Sequence, residues 1–99
     1  MVTKALFVRL EAKSGKETEV ADFLKHGLPI AAGETGTVAW LAIQFGPSTF
    51  GVFDAFTDDV SRDAHLEGKI SEILWEKASD LLVSPPTIEK LDILAAKLP

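Results

Sequence analysis

Three residue types are missing from this chain of 99 residues: cysteine, tyrosine and asparagine. Without cysteine there can be no disulfide, no thiolate nucleophile and no sulfur-ligated metal. Without tyrosine and asparagine, neither a phenol nor a short amide is available to position a ligand. Basic residues are also few. Ten Lys and Arg against fifteen Asp and Glu leave a net charge of −5. Lys4, Lys13, Lys16 and Lys25 are scattered, which argues against a phosphate-tracking nucleic-acid interface. No apolar run is long enough to span a membrane. Gly46, Gly51 and Gly68 do not form a phosphate loop, since no glycine-rich run joins a strand to a helix start. His26 and His65, with scattered carboxylates, lack metal-site spacing. Met1 leads straight into a strand-like run with no charged segment, long apolar stretch or small-residue cleavage site, so a cytoplasmic location is expected.

What is present suits one soluble globular domain over residues 1–99, with 46% hydrophobic and 25% charged residues and a modest core. Lys4 to Ala12 alternates Leu6, Val8 and Leu10 with Phe7, Arg9 and Glu11, the period of a strand. Ser14 is placed to cap a helix, with Glu17 completing a capping box and Val20, Phe23, Leu24 and Leu28 at helical spacing. That helix should end between Gly27 and Gly33. Asp58 or Asp59 caps a second helical stretch carrying Val60, Ala64, His65 and Leu66, which Gly68 bends or interrupts. Ile70, Ile73, Leu74, Ala78, Leu81 and Leu82 continue it. Ser84-Pro85-Pro86 then stops it, and Thr87 to Ala95 alternates as a last strand.

The middle of the chain is the most informative part. Thr37 to Phe45 and Thr49 to Thr57, joined by Gly46-Pro47-Ser48, read as a hairpin. With those three residues as the loop, Phe45 faces Thr49, Leu41 faces Phe53 and Trp40 faces Asp54. One face then carries Ala39, Leu41, Ile43, Phe45, Gly51, Phe53 and Ala55. The other carries Val38, Trp40, Ala42, Gln44, Phe50, Val52, Asp54 and Phe56. Both are apolar, whereas an antiparallel sheet usually wets one side, so two covers are needed.

Strand, helix, strand, strand, helix, strand is the order of the α+β ferredoxin-like βαββαβ arrangement. This has a four-stranded antiparallel sheet with the helices on one face. The bare face would then be covered by a second copy about a two-fold axis, and a homodimer of stacked sheets forming an α/β barrel is expected. The plainer alternative is a misphased strand and a face that is merely mixed.

Arg9-Leu10, Lys13-Ser14-Gly15-Lys16, Gly36-Thr37-Val38-Ala39-Trp40, Phe53-Asp54-Ala55-Phe56, Asp63-Ala64-His65-Leu66 and Ser84-Pro85-Pro86-Thr87-Ile88 occur in an order that resembles the antibiotic biosynthesis monooxygenase-like proteins. The resemblance spans nearly the whole chain. It implies a small dimeric α/β barrel and cofactor-independent oxidation of a quinol-like aromatic with molecular oxygen, using neither metal nor flavin. Other members degrade haem, but the Asn, Trp and His set of that branch cannot be assembled here. Trp40 stands where Tyr is common, and Asp54 and Phe56 where Glu and Trp are common.

Such an oxidation needs a base and a dry cavity. His65 is the candidate base, because its ordinary pKa lies near neutrality and its place in the motif resembles one that faces the pocket. His26 is a weaker candidate. Asp54, mid-strand among Phe50, Val52 and Phe56, must find a partner. Arg9 would make it a structural ion pair, whereas His65 or a substrate hydroxyl would make it an orienting group. Trp40, Phe56 and Trp75 are candidate substrate-binding walls, or simply core. The competing class is a non-catalytic barrel that binds a small apolar ligand.

Overall fold

A computed structural model describes all 99 residues, from Met1 to Pro99. The elements run β1 (Lys4–Glu11), α1 (Glu17–Ala32), β2 (Thr37–Gln44), β3 (Thr49–Phe56), α2 (Asp59–Leu66), α3 (Lys69–Leu81) and β4 (Thr87–Asp92). The four strands form one antiparallel sheet in the order β2-β3-β1-β4. This is the ferredoxin-like arrangement, with its second helix divided at Gly68. No helix is long and apolar enough to cross a membrane.

The hairpin has the register that its alternation dictates. Trp40 pairs with Asp54 and Leu41 with Phe53, and the Phe45 amide donates to the Thr49 carbonyl at 2.8 Å. Pairing is irregular between Thr37 and Ala39, so Val38 is an extra residue outside the strict alternation. The loop is tied down by Glu11 at the end of β1. Its carboxylate accepts from the Ser48 hydroxyl at 2.5 Å and the Thr49 hydroxyl at 2.6 Å, bonds that hold its pKa below the ordinary value.

The helices cover the face that carries Leu6, Val8, Leu10, Trp40, Val52 and Asp54, against Phe23 and Leu24 of α1, His65 and Leu66 of α2, and Ile70 and Leu74 of α3. The opposite face is the apolar one. Phe7 and Phe45 meet edge to face at 6.2 Å, and both approach the space over Gly51. Beside them Leu41, Ile43 and Phe45 remain exposed.

Several local expectations need correction. Ser14 does not cap α1. The N-cap is Lys16, with no side-chain bond, and Glu17 turns back to accept from the Gly15 amide at 2.8 Å. Gly15 is there in a left-handed conformation (φ 88°), which places Ser14 outside the capping position. Leu28 faces solvent, because the buried stripe of α1 is Val20, Leu24, Gly27 and Ala31, spaced by three or four residues. The last strand stops at Asp92 rather than Ala95. The second cap is as expected: Asp58 accepts from the Ser61 amide at 2.8 Å.

Gly36 shows how tightly α2 is seated on the turn before β2. A Cβ at this position would lie 2.7 Å from both Cβ and Oγ of Ser61. Gly36→Ala is therefore expected to destabilise the fold by about 1–3 kcal/mol, the range for overpacking. Urea unfolding should show this, with recovery in a Gly36→Ala/Ser61→Gly double variant.

Candidate functional site

Asp54 sits on the inner face of β3, between Trp40 of β2 and Leu6 of β1, and is only 1% exposed. A carboxylate this deep requires a cation. α2 supplies it, since His65, 8% exposed, places Nε2 at 2.7 Å from Asp54 Oδ2. The other ring nitrogen, Nδ1, lies 2.6 Å from Oε1 of Glu34. Glu34 belongs to the turn between α1 and β2 and also accepts from the Thr37 hydroxyl at 2.8 Å. Phe56 packs against the imidazole at 5.4 Å between ring centroids. One ring is thus clamped by carboxylates from two separate parts of the chain.

The contact between His65 and Asp54 is close but not an aligned hydrogen bond. Both Asp54 oxygens are buried without a hydrogen-bond partner, as is the indole nitrogen of Trp40. The distance is what matters for the attraction between charges, which does not require alignment. Burial alone would push the His65 pKa down, but Asp54 and Glu34 together outweigh it and hold the pKa above the ordinary 6.5. The two carboxylates therefore favour the charged, imidazolium form of the ring. Because they occupy opposite nitrogens of the ring, Asp54 and Glu34 do not converge on a point with His65, and no group of three His, Asp or Glu is arranged to hold a metal ion.

Two hollows meet at His65. Inside, between sheet and helices, is a cavity of about 40 Å³ lined by Trp40, Asp54, His65 and apolar side chains. That is room for a few waters at most, at roughly 10–15 Å³ each, and far below the roughly 300 Å³ at which small-molecule pockets begin. Outside is a polar cleft of about 390 Å³ between Gly33–Thr37 and Val60, Ser61 and Ala64.

The structure brings Asp54, His65, Trp40 and Phe56 together, although Phe56 packs behind the imidazole rather than lining the cavity. Trp75 is 50% exposed on α3 and lies outside the cavity. His26 is exposed on α1 and faces a groove between α1 and α3. Arg9 is not the partner of Asp54. It pairs with Gly51 across the sheet, and its guanidinium lies on the outer face, 4.4 Å above the Phe45 ring. Glu34 escaped the sequence reading, since a turn carboxylate between Gly33 and Gly36 has no periodicity to mark it.

This architecture is shared by solved structures from several organisms. Rv0793 from Mycobacterium tuberculosis is 14% identical, with a TM-score of 0.84 over 95% of this chain and 97% of its own. A Nitrosomonas europaea protein assigned provisionally to the antibiotic biosynthesis monooxygenases is 16% identical, with a TM-score of 0.83 over 93% of this chain and 90% of its own. No family model and no curated protein matches the chain. The fold is that of the antibiotic biosynthesis monooxygenase-like proteins. Within it, the chain belongs to the family of NE2512 from Nitrosomonas europaea, a protein of unknown function; the two are 61% identical, with a TM-score of 0.98 over 100% of this chain and 96% of that one.

The charge on His65 makes stability depend on pH in a defined direction. Its folded pKa is raised, so its contribution is complete below the unfolded value of about 6.5 and is lost as pH rises through the folded value. The thermal midpoint should fall as pH rises above about 6.5 in the parent. The fall should be absent from His65→Gln, as circular dichroism melts would show.

Proposed function

We propose that the protein is a cofactor-independent monooxygenase acting on a small aromatic, quinol-like substrate, as a cytoplasmic homodimer. The observation that carries this reading is the buried Asp54 carboxylate, 2.7 Å from His65 through Oδ2 and without a partner at Oδ1, at the edge of an apolar cavity. The shared fold supports it.

The chemistry balances without a reductant. A hydroquinone loses a phenolic proton, and the anion gives one electron to dioxygen. The resulting pair recombines, forming a carbon–oxygen bond to a hydroperoxide. Breakage of its O–O bond and loss of water leave a hydroxyquinone. Hydroquinone and dioxygen thus become hydroxyquinone and water. The base role is moved from His65 to Asp54 in this scheme. An imidazole protonated on both nitrogens has no lone pair to offer, whereas Asp54 lines the cavity and its Oδ1 has no partner. His65 stabilises the substrate anion, a contribution that grows in a dry site.

The small size of the cavity favours a second reading, in which the same interior holds a small apolar ligand, or none, without turnover. Oxygen uptake with a panel of hydroquinones separates the two. The parent is expected to consume oxygen, and Asp54→Asn to lower kcat/KM about 10²-fold or more, the usual effect of removing a general base. No uptake by the parent would leave the binding reading. Equal uptake by parent, Asp54→Asn and His65→Gln would remove both residues from the chemistry.

The dimer rests on Leu41, Ile43 and Phe45, which lie exposed on the outer face of the sheet. Burying each large apolar side chain is worth roughly 1.5–3 kcal/mol, and a second copy presents the same patch. Sedimentation at micromolar concentration should give a dimer for the parent and a monomer for a Leu41→Lys/Phe45→Glu variant. A folded parent monomer would overturn the assembly.

A further inference from the structure

The inner cavity is too small for an aromatic ring, yet it adjoins a hollow that is not. Between α1 and α3 runs a groove of about 330 Å³, within the size range of ligand pockets. Its rim is polar, with Glu19, Asp22 and His26 on α1 and Lys77 on α3. Its floor is apolar. Two floor residues, Phe23 of α1 and Ile70 of α3, also wall the inner cavity that holds Asp54, His65 and Trp40. One side chain from each helix is therefore all that these two linings share. Phe23 is only half-buried, so it can change rotamer without unpacking the core.

A second contact ties the two hollows together. Gly27 lines the groove, and a Cβ at that position would lie 3.1 Å from Cζ2 and 3.2 Å from Cη2 of Trp40, which lines the cavity. A side chain there would press the indole back by a few tenths of an ångström, so the glycine lets it rest directly against α1. Asp54 Oδ1 and the indole nitrogen of Trp40 are buried without a hydrogen-bond partner at the inner end of this path.

We propose that the groove and the cavity are the outer and inner halves of one ligand site, with Phe23 and Ile70 as the partition that a ligand displaces. The ligand is a planar aromatic ring bearing a hydroxyl. The ring lies between α1 and α3, its hydroxyl donates to Asp54, and its outer edge faces the charged rim. The substrate class deepens the quinol reading above, whereas the route stands on the shared walls alone. The polar cleft beyond His65 is a poorer entrance for such a ring, because Glu34, bonded to His65 and Thr37, stands across it.

The probe is 2-naphthol, an aromatic hydroxyl compound that is not a quinol, followed by calorimetry and by methyl NMR of the full-length protein. Shifts are expected at Ile70, Ile73 and Leu74. Phe23→Ala should tighten binding at least threefold by removing the partition. Asp54→Asn should weaken it about tenfold, in line with loss of a charge-assisted hydrogen bond. Ile73→Trp, at the half-buried groove wall, should weaken it about tenfold without disturbing the core, a loss in the range for blocking a well-fitted apolar contact. Absence of binding, shifts confined to Val60 and Ala64 of the outer cleft, or affinity unchanged in Phe23→Ala and Ile73→Trp would overturn the inference. If 2-naphthol binds in this way but no hydroquinone drives oxygen uptake, the site stands and the monooxygenase reading fails. Uptake unaffected by Ile73→Trp would have the opposite meaning.

Discussion

A negative charge on the inner face of a central strand constrains the rest of this molecule. Asp54 is fixed there by the hairpin register, which leaves it no route to solvent and no hydrogen-bond donor. Its counter-charge has to come from the helical layer, so α2 must end close to β3 with His65 turned inward. The division of the second helical stretch at Gly68 follows naturally. α2 closes just past His65, and α3 starts afresh at Lys69, free to lay Ile70, Ala78 and Leu81 on the core. Removing one member of such a buried pair typically costs about 3–5 kcal/mol, because the charge left behind has no compensation. The third member, Glu34, brings the turn between α1 and β2 into the same arrangement.

The parts of the fold legible in the sequence were those written in a period. Alternation and a three-residue loop were enough to place Trp40 opposite Asp54 and Leu41 opposite Phe53. The cap is legible as Asp58 or Asp59, because an acid directly before an apolar helical pattern satisfies free amides, and the structure selects Asp58. What depended on pairing between distant strands was not legible. Arg9 and Asp54 look like natural partners along the chain, but the offset of β1 against β3 sets Arg9 opposite Gly51, on the outer face. No local pattern contains that offset.

Half of the site was hidden for the same reason. Asp54 stands out as a polar group among apolar neighbours, His65 through its near-neutral ordinary pKa and its place in the motif, and Trp40 follows from the register. Glu34 did not stand out, since its part depends on how the chain leaves α1 and on the close approach of Gly36 to Ser61. Trp75 misled for the opposite reason. A large aromatic on an amphipathic helix suggests a wall, yet the buried side of α3 is defined by Ile70, Ala78 and Leu81, and Trp75 points away from it.

Electrostatics also bears on which residue would accept a proton in the proposed chemistry. A lone histidine near neutrality is the obvious base in a sequence, but this one is flanked by two carboxylates that raise its pKa and favour its charged form. With the ring protonated the arrangement carries one positive and two negative charges, so protonating Asp54 leaves a neutral pair of His65 and Glu34 behind it. An anion formed in the cavity would then meet an imidazolium without competition from Asp54. That exchange of one anionic neighbour for another is cheap only where water is excluded and the geometry is set in advance. A nearly filled interior provides both conditions. The tight packing around Asp54 that leaves so little empty volume is for that reason compatible with chemistry, provided a ligand enters by displacing side chains rather than by filling a standing void.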